Sequence, residues 1–323
     1  MSKRTERAVV IGAGSMGTLI AAVLGRVMPV VLVCRREERA AQLFKWGARV
    51  EGLIEAASRP ILVRSLDELA NAGGASLVVV ATKTTAIPSV ATDLKRVMGS
   101  ICDDPGGPHV ISFQNGIDPG RELMARLGHA RVLRMVLSLG ATLSGDQRCV
   151  HVSLNQPPHD IGSVDPGLRP VCESIAALLT EGGLETAYAE DIEAAVWRKG
   201  LVNAAMNPVA ALVNCTVGQV LDSPSEIIVR KLLQEGIAVA EAEGITLPAG
   251  YAERAMRLMD LARDHVPSMV EDIRGGRESE IGQLNRQIIE HGARLGVPTR
   301  THETIDALIE TFDWKVYRDG AAP

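Results

Sequence analysis

The run AVVIGAGSMG at residues 8–17 decides how the first half of the chain is read. Ala8 to Ile11 is uninterrupted apolar, as suits a strand covered on both faces. Gly12, Gly14 and Gly17 follow in GxGxxG spacing, with Ala13, Ser15 and Met16 between them, then a helical run to about Val27 and a second apolar run, Val30 to Val33. Strand, glycine turn, helix and strand in that order predict a dinucleotide-binding loop. Gly12 permits the tight turn, Gly14 lets backbone approach a pyrophosphate, and Gly17 allows the helix to lie close on the strand. The helix N-terminus adds N–H groups and a partial positive charge.

The second strand ends Val33-Cys34-Arg35-Arg36, where an NAD site usually places a carboxylate. Two guanidiniums there predict NADP(H), with Arg35 gripping a 2′-phosphate. The same pair also reads as a solvated face beside Glu37 and Glu38. Further strands are expected at Leu77 to Ala81 and Val110 to Phe113, and a β-rich stretch at Arg131 to Thr142, Val150 to Leu154 and His159 to Ser163 is expected to close the sheet. Lys83 and Asn115 follow two of these strands, at the carboxyl edge where open α/β sheets bind ligands. Taken alone, Asn115-Gly116 reads first as a plain turn pair.

From about Ala189 the strand signal gives way to helical stretches at Asp191 to Met206, Ser223 to Glu243, Pro248 to His265, Glu278 to Leu295 and Glu303 to Trp314, punctuated by Gly and Pro. The fold class is α/β: an N-terminal dinucleotide-binding domain over 1–189, then an all-α domain over 190–323. A chain of 323 residues with 46% hydrophobic and 23% charged residues supports two packed domains. A net charge of −5 and only nine aromatic residues (three each of Phe, Trp and Tyr) argue against a nucleic-acid partner. The five cysteines stand singly, so no zinc site is expected and the thiols read as reduced. No apolar run is long enough for a membrane span, and the charged stretch from Ser2 to Arg7 is not a secretory leader. The expectation is a cytoplasmic protein, off the membrane and without a metal, with a homodimer as a reasonable assembly.

Two segments carry the chemistry of the second half. Lys199, Asn203 and Asn207 recur every four residues, one polar stripe on a helix otherwise rich in Leu, Val, Ala and Met. A Lys so placed can polarise a carbonyl and deliver a proton while amides orient substrate oxygens. The spacing equally admits a snorkelling Lys and two cap or interhelical amides, with a helix end near Pro208. The other segment, Pro267 to Ile281, read alone is a Ser-containing loop and a charged helix start with Glu280 in the first turn.

Taken together, the GxGxxG opening with Arg35, the block WRKxxxNxxxNPxxAL from Trp197 to Leu212 and the block SMxxDIxxxRxxEI from Ser268 to Ile281 resemble the ketopantoate reductase (2-dehydropantoate 2-reductase) family, from Val9 to about Leu308. The resemblance implies a Rossmann-type domain followed by a helical domain like the C-terminal domain of 6-phosphogluconate dehydrogenase. It implies NADP(H) held by Gly12 to Gly17, Arg35, Lys83, Asn115, Ala141 and Glu280, and reduction of 2-dehydropantoate to (R)-pantoate. It also implies Lys199 as general acid, Glu280 as a catalytic acid at the junction of cofactor and substrate, and Asn115, Lys199, Asn203, Asn207 and Ser268 as the holders of a 2-keto acid. Two departures bear on substrate: Val217-Gly218 stands where close members carry Asn-Gly, and Asn285-Arg286 replaces another Asn-Gly. Losing a hydrogen bond at Val217 costs on the order of 1 to 3 kcal/mol if a substrate hydroxyl is left buried. The alternatives are a related D-2-hydroxyacid dehydrogenase on another 2-keto acid and a non-catalytic NADPH-binding regulator.

Overall fold

The computed structural model describes residues 7–70, 75–102, 104, 106–128 and 131–320, so the charged stretch from Ser2 to Glu6 lies outside it. The chain forms two compact units. Met1–Gln114 with Pro119–Ile192 makes the first; Glu193–Pro323 makes the second, together with the four residues Asn115–Asp118.

The first unit is built on an eight-stranded sheet. Among the described residues the strands of this unit are β1 (Ala8–Ile11), β2 (Val30–Val33), β3 (Ala48–Gly52), β4 (Ala56–Ser58), β5 (Ile61–Val63), β6 (Leu77–Val80), β7 (His109–Ser112), β8 (Val132–Val136), β9 (Leu139–Leu143), β10 (Val150–Asn155), β11 (His159–Gly162) and β12 (Thr186–Tyr188). The main sheet has the order β12-β11-β8-β7-β6-β1-β2-β5 and is parallel except where β11 meets β8. From β5 to β8 this is the six-strand order of a doubly wound dinucleotide fold, which reverses direction between β1 and β6. Alternate residues of β1 serve opposite cores. Ala8 and Val10 face the helix α1 (Ser15–Leu24), and Val9 and Ile11 face the side covered by α3 (Ile87–Ile101) and α4 (Pro119–Leu127). Between α1 and α3 in sequence lies α2 (Glu37–Trp46), and α5 (Arg169–Gly182) completes the unit.

The expectation that residues 131–163 close one sheet needs correction. β8 and β11 do join the main sheet, but β9 and β10 pair with β3 and β4 in a separate four-stranded sheet, order β4-β3-β10-β9. Val50, Val150 and Val152 of that small sheet enter the same core as Leu19 to Leu24. Every residue of α1 from Gly17 onward is therefore buried, which explains why this helix is apolar around its whole circumference.

The second unit is all helix: α6 (Ile192–Val213), α7 (Val217–Leu221), α8 (Glu226–Ala242), α9 (Tyr251–Asp260), α10 (Ser268–Arg274), α11 (Asn285–Leu295) and α12 (Arg300–Gly320). Among the described residues, no helix is long and apolar enough to cross a membrane. α6 does not end near Pro208; it runs through it. A proline inside a helix strips the carbonyl four residues earlier of its donor, here Ala204. Asn285 supplies the missing bond: its Nδ2 donates to the Ala204 carbonyl at 3.1 Å and to Nδ1 of His302 at 3.0 Å, and His302 Nε2 donates to the Leu232 carbonyl at 2.9 Å. One fully buried amide thus ties α6 to α11, α12 and α8. Two short helices were not anticipated. α7 opens with a capping box, Thr216 and Gln219 bonding each other's backbone N–H, and α10 occupies what reads in isolation as a loop.

Asn285→Ala is expected to cost about 2 to 4 kcal/mol, from lost hydrogen bonds and a cavity. With Pro208→Ala also present, residue 208 regains an N–H for the Ala204 carbonyl, and the same substitution should cost about 1 kcal/mol less. Denaturant unfolding of the four proteins in the cycle measures the difference; simple additivity would count against this account.

Candidate functional site

The glycine loop has the conformation its spacing predicts. Gly12 has φ +107°, and a Cβ there would lie 2.8 Å from the Ala81 carbonyl oxygen; a Cβ on Gly17 would lie 1.8 Å from the Gly12 oxygen. No side chain fits either place. Gly14 is the opposite case, exposed with nothing within 4 Å of a Cβ, so the backbone ahead of Ser15 stays open at the start of α1. This open cradle at a helix N-terminus, on the strand edge where the sheet order reverses, fits a pyrophosphate.

The loop is held from below by a residue that the sequence did not single out. Arg39, on α2, is 2% exposed. Its Nε donates to the Ala13 carbonyl at 3.0 Å, Nη2 to the Thr18 hydroxyl at 2.7 Å, and Nη1 to the Gln147 carbonyl. An arginine surrounded in sequence by exposed charges gives no signal of this; only burial reveals it. Ser15 fixes the other side, its hydroxyl accepting from the Leu143 N–H of β9 at 3.0 Å. Ala141, two residues earlier on β9, pairs with Val152 and is half-buried, as are Ala13 and Met16.

Arg35 is exposed at the end of β2 and pairs with Asp93 at 3.7 Å. An ion pair this open is worth little and yields readily to a phosphate. Arg64, from the end of β5, donates to the Arg35 carbonyl, so three guanidiniums, with Arg36, collect at this edge. Lys83 is exposed just beyond β6. Among the described residues no cluster of His, Cys, Asp and Glu is placed to hold a metal ion.

In the helical unit the structure brings together three residues far apart in sequence. Lys199 Nζ donates to Asn115 Oδ1 at 2.9 Å, and Asn115 Nδ2 donates to Glu280 Oε2 at 3.1 Å. An ammonium only donates and a carboxylate only accepts, so the amide has a single workable orientation. All three side chains are half-buried. Asn115-Gly116 is therefore more than a turn: Gly116 has φ +105°, but Asn115 is the hub of the cluster.

Asn203 and Asn207 lie on α6 one and two turns beyond Lys199, half-buried, and neither amide is engaged by another described residue. Ser268 is exposed as the first residue of α10 and does not join the cluster through a hydrogen bond. Glu280 sits not in the first turn of a long helix but ahead of a single 3-10 turn, Ile281–Gln283. Its neighbour Ser279 anchors it, the N–H and hydroxyl donating to the two Asp313 carboxylate oxygens at 2.9 and 2.6 Å. Val217 is 4% exposed in the helical core, offering an apolar side chain and no polar atom.

Beside the cluster lies a second charged group. His291 is buried between Asp118 (Nε2 to Oδ2, 2.9 Å) and Glu243 (Nδ1 to Oε2, 3.0 Å), its ring edge-on to Trp197 at 5.2 Å. Arg294 also donates to Glu243. The bond to Asp118, against the opposing effect of burial and with help from Glu243, raises the pKa of His291 above its ordinary value.

Residues 8–165 match the family described as "Ketopantoate reductase PanE/ApbA", and residues 191–313 match "Ketopantoate reductase PanE/ApbA C terminal". A 2-dehydropantoate 2-reductase of Halobacterium salinarum is 29% identical over 311 residues, covering 95% of this chain and 96% of its own. The crystal structure of 2-dehydropantoate 2-reductase from Geobacter metallireducens superposes with a TM-score of 0.81 at 26% identity, covering 94% of this chain and 99% of its own. A D-mandelate dehydrogenase, solved with NADH and anilino(oxo)acetate, shares the fold with a TM-score of 0.85 at 20% identity, covering 96% of this chain and 99% of its own.

Because the folded chain holds the His291 proton more tightly than the unfolded chain, its stabilising contribution is complete below the ordinary histidine range and is lost as pH rises through the raised value. Thermal melts from about pH 6 upward should show wild-type Tm falling relative to His291→Asn. Two curves that run parallel across that range would remove the imidazolium from the account.

Proposed function

Starting from the fact that the chain belongs to the ketopantoate reductase PanE/ApbA family, oxidoreductases acting on CH–OH groups, we propose that it reduces 2-dehydropantoate to (R)-pantoate with NADPH, a step of pantothenate formation. The observation that carries this reading is the fixed chain of Lys199, Asn115 and Glu280.

A nicotinamide dinucleotide, when bound, supplies the hydride. The cradle of Gly12 to Gly17 would hold its pyrophosphate, Arg35 with Arg36 would meet a 2′-phosphate, and Lys83 and Ala141 of the same unit would line more of its length. Lys199 donates a proton to the oxygen of the reacting carbonyl, charge for charge where an alkoxide develops. Asn115 holds that ammonium in one direction, and Glu280 prevents the amide from turning over. Asn203 and Asn207, spaced about 6 Å apart along α6, have uncommitted amides for the carboxylate and hydroxyl of the 2-keto acid. Ser268 supplies a further hydroxyl.

A second reading, a D-2-hydroxyacid dehydrogenase for another 2-keto acid, is favoured by Val217. An apolar side chain, buried in the helical core, stands where the family members it resembles carry a hydrogen-bonding Asn.

NADPH oxidation with 2-dehydropantoate beside a panel of bulkier 2-keto acids separates the two readings by which substrate turns over. Binding of NADPH with no turnover of any acid would favour a non-catalytic regulator. Lys199→Ala should lower kcat by about 100-fold or more while NADPH Kd stays within about twofold. Arg35→Asp should weaken NADPH by about tenfold or more with little effect on NADH; equal losses for both would sink the 2′-phosphate assignment.

A further inference from the structure

The four residues Asn115–Asp118 come directly after Gln114, which is tied to the first unit: its Nε2 donates to the Val80 carbonyl at 2.9 Å and its Oε1 accepts from the Ser112 hydroxyl at 2.7 Å. Yet the segment belongs to the helical unit, and two side chains on one face of α11 account for that. Gln287 Oε1 accepts from the N–H of Ile117 at 2.7 Å and from the N–H of Asp118 at 3.1 Å. One turn on, His291 grips the Asp118 carboxylate. Both side chains are nearly buried, and Gln287 is itself held by a bond from its Nε2 to Gln283 Oε1 at 3.1 Å.

The remaining residues of the segment close against the same unit. A Cβ on Gly116 would lie 2.4 Å from the Gln283 carbonyl oxygen, so its bare backbone lies tight on the turn ahead of α11. Ile117 is 2% exposed in the helical core, and a Cβ on Gly200, the residue after Lys199, would lie 3.1 Å from its Cγ1. Trp197, two residues before Lys199, meets the ring of His291. The helix that carries the acid and the helix that carries the anchors thus share the segment whose first residue is Asn115.

We infer that Gln287 and His291 are positioning residues for the acid: they seat 115–118 on the helical unit and so aim the Asn115 amide at Lys199. This rests on the reading of Lys199 as general acid. With the next three residues fixed, Asn115 retains little beyond its own side-chain rotation. Misplacing a catalytic group by about 1 Å costs about 100-fold in rate.

Amide hydrogen exchange at Ile117 and Asp118, read without substrate, tests the seating; kcat, KM for the 2-keto acid and NADPH Kd test its purpose. Gln287→Leu should speed exchange at both amides about tenfold or more and lower kcat about 100-fold, with NADPH Kd unchanged within about twofold. Gln287→Glu keeps an acceptor oxygen and should restore both exchange and kcat to within a few-fold of wild type. If Gln287→Leu does not fold, His291→Gln is measured in its place and should lower kcat without weakening NADPH. Unchanged exchange, faster exchange with kcat intact, or a Glu variant as defective as the Leu variant overturns the inference. A wild-type protein inactive on every 2-keto acid overturns the functional reading instead, and the seating is then judged by exchange alone.

Discussion

A proline inside α6, toward its C-terminal end, is the constraint on which the helical unit turns. Pro208 removes one hydrogen bond from the helix that must also carry Lys199, Asn203 and Asn207 on a single face, and an unpaired carbonyl at Ala204 would invite a bend or a break there. Asn285 fills the vacancy from another helix. The helix therefore keeps its register across the proline, and three polar side chains stay aligned over two turns. Because the amide that repairs α6 also donates to His302, the alignment of the polar stripe and the packing of α8, α11 and α12 are one structural fact.

Around that helix the site assembles by fixing one amide. Asn115 has a donor on one side and an acceptor on the other, so it is oriented by chemistry as well as by packing. Each of its partners is supported by something else: Lys199 by α6, and Glu280 by the Ser279 bonds to Asp313 on α12. A half-buried charged group held this way needs little reorganisation when charge develops beside it.

Much of this was legible in the residues. The glycine spacing between two apolar strands announced the first unit, and the four-residue recurrence of Lys199, Asn203 and Asn207 announced a polar face on a helix. What escaped reading was what depends on distant partners. β3, β4, β9 and β10 leave the main sheet because they have each other to pair with, and no local pattern says so. α6 outlasts its proline because Asn285 lies opposite it. Arg39 looks like any surface arginine until α2 folds down. The capping box at Thr216 and Gln219 is the exception, a signal written plainly in four residues.

The buried Arg39 also shapes what the phosphate loop presents outward. Its partners among the described residues are two backbone carbonyls and a hydroxyl, all neutral, so its charge is solvated by dipoles but not cancelled by them. The Ala13 carbonyl, drawn inward, is a negative dipole end withdrawn from the surface an anion would meet. The loop is in this sense made attractive to anions partly by subtraction, with one oxygen turned away from the ligand face rather than a nitrogen added to it. The positive charge behind it lies where dissolved salt penetrates poorly.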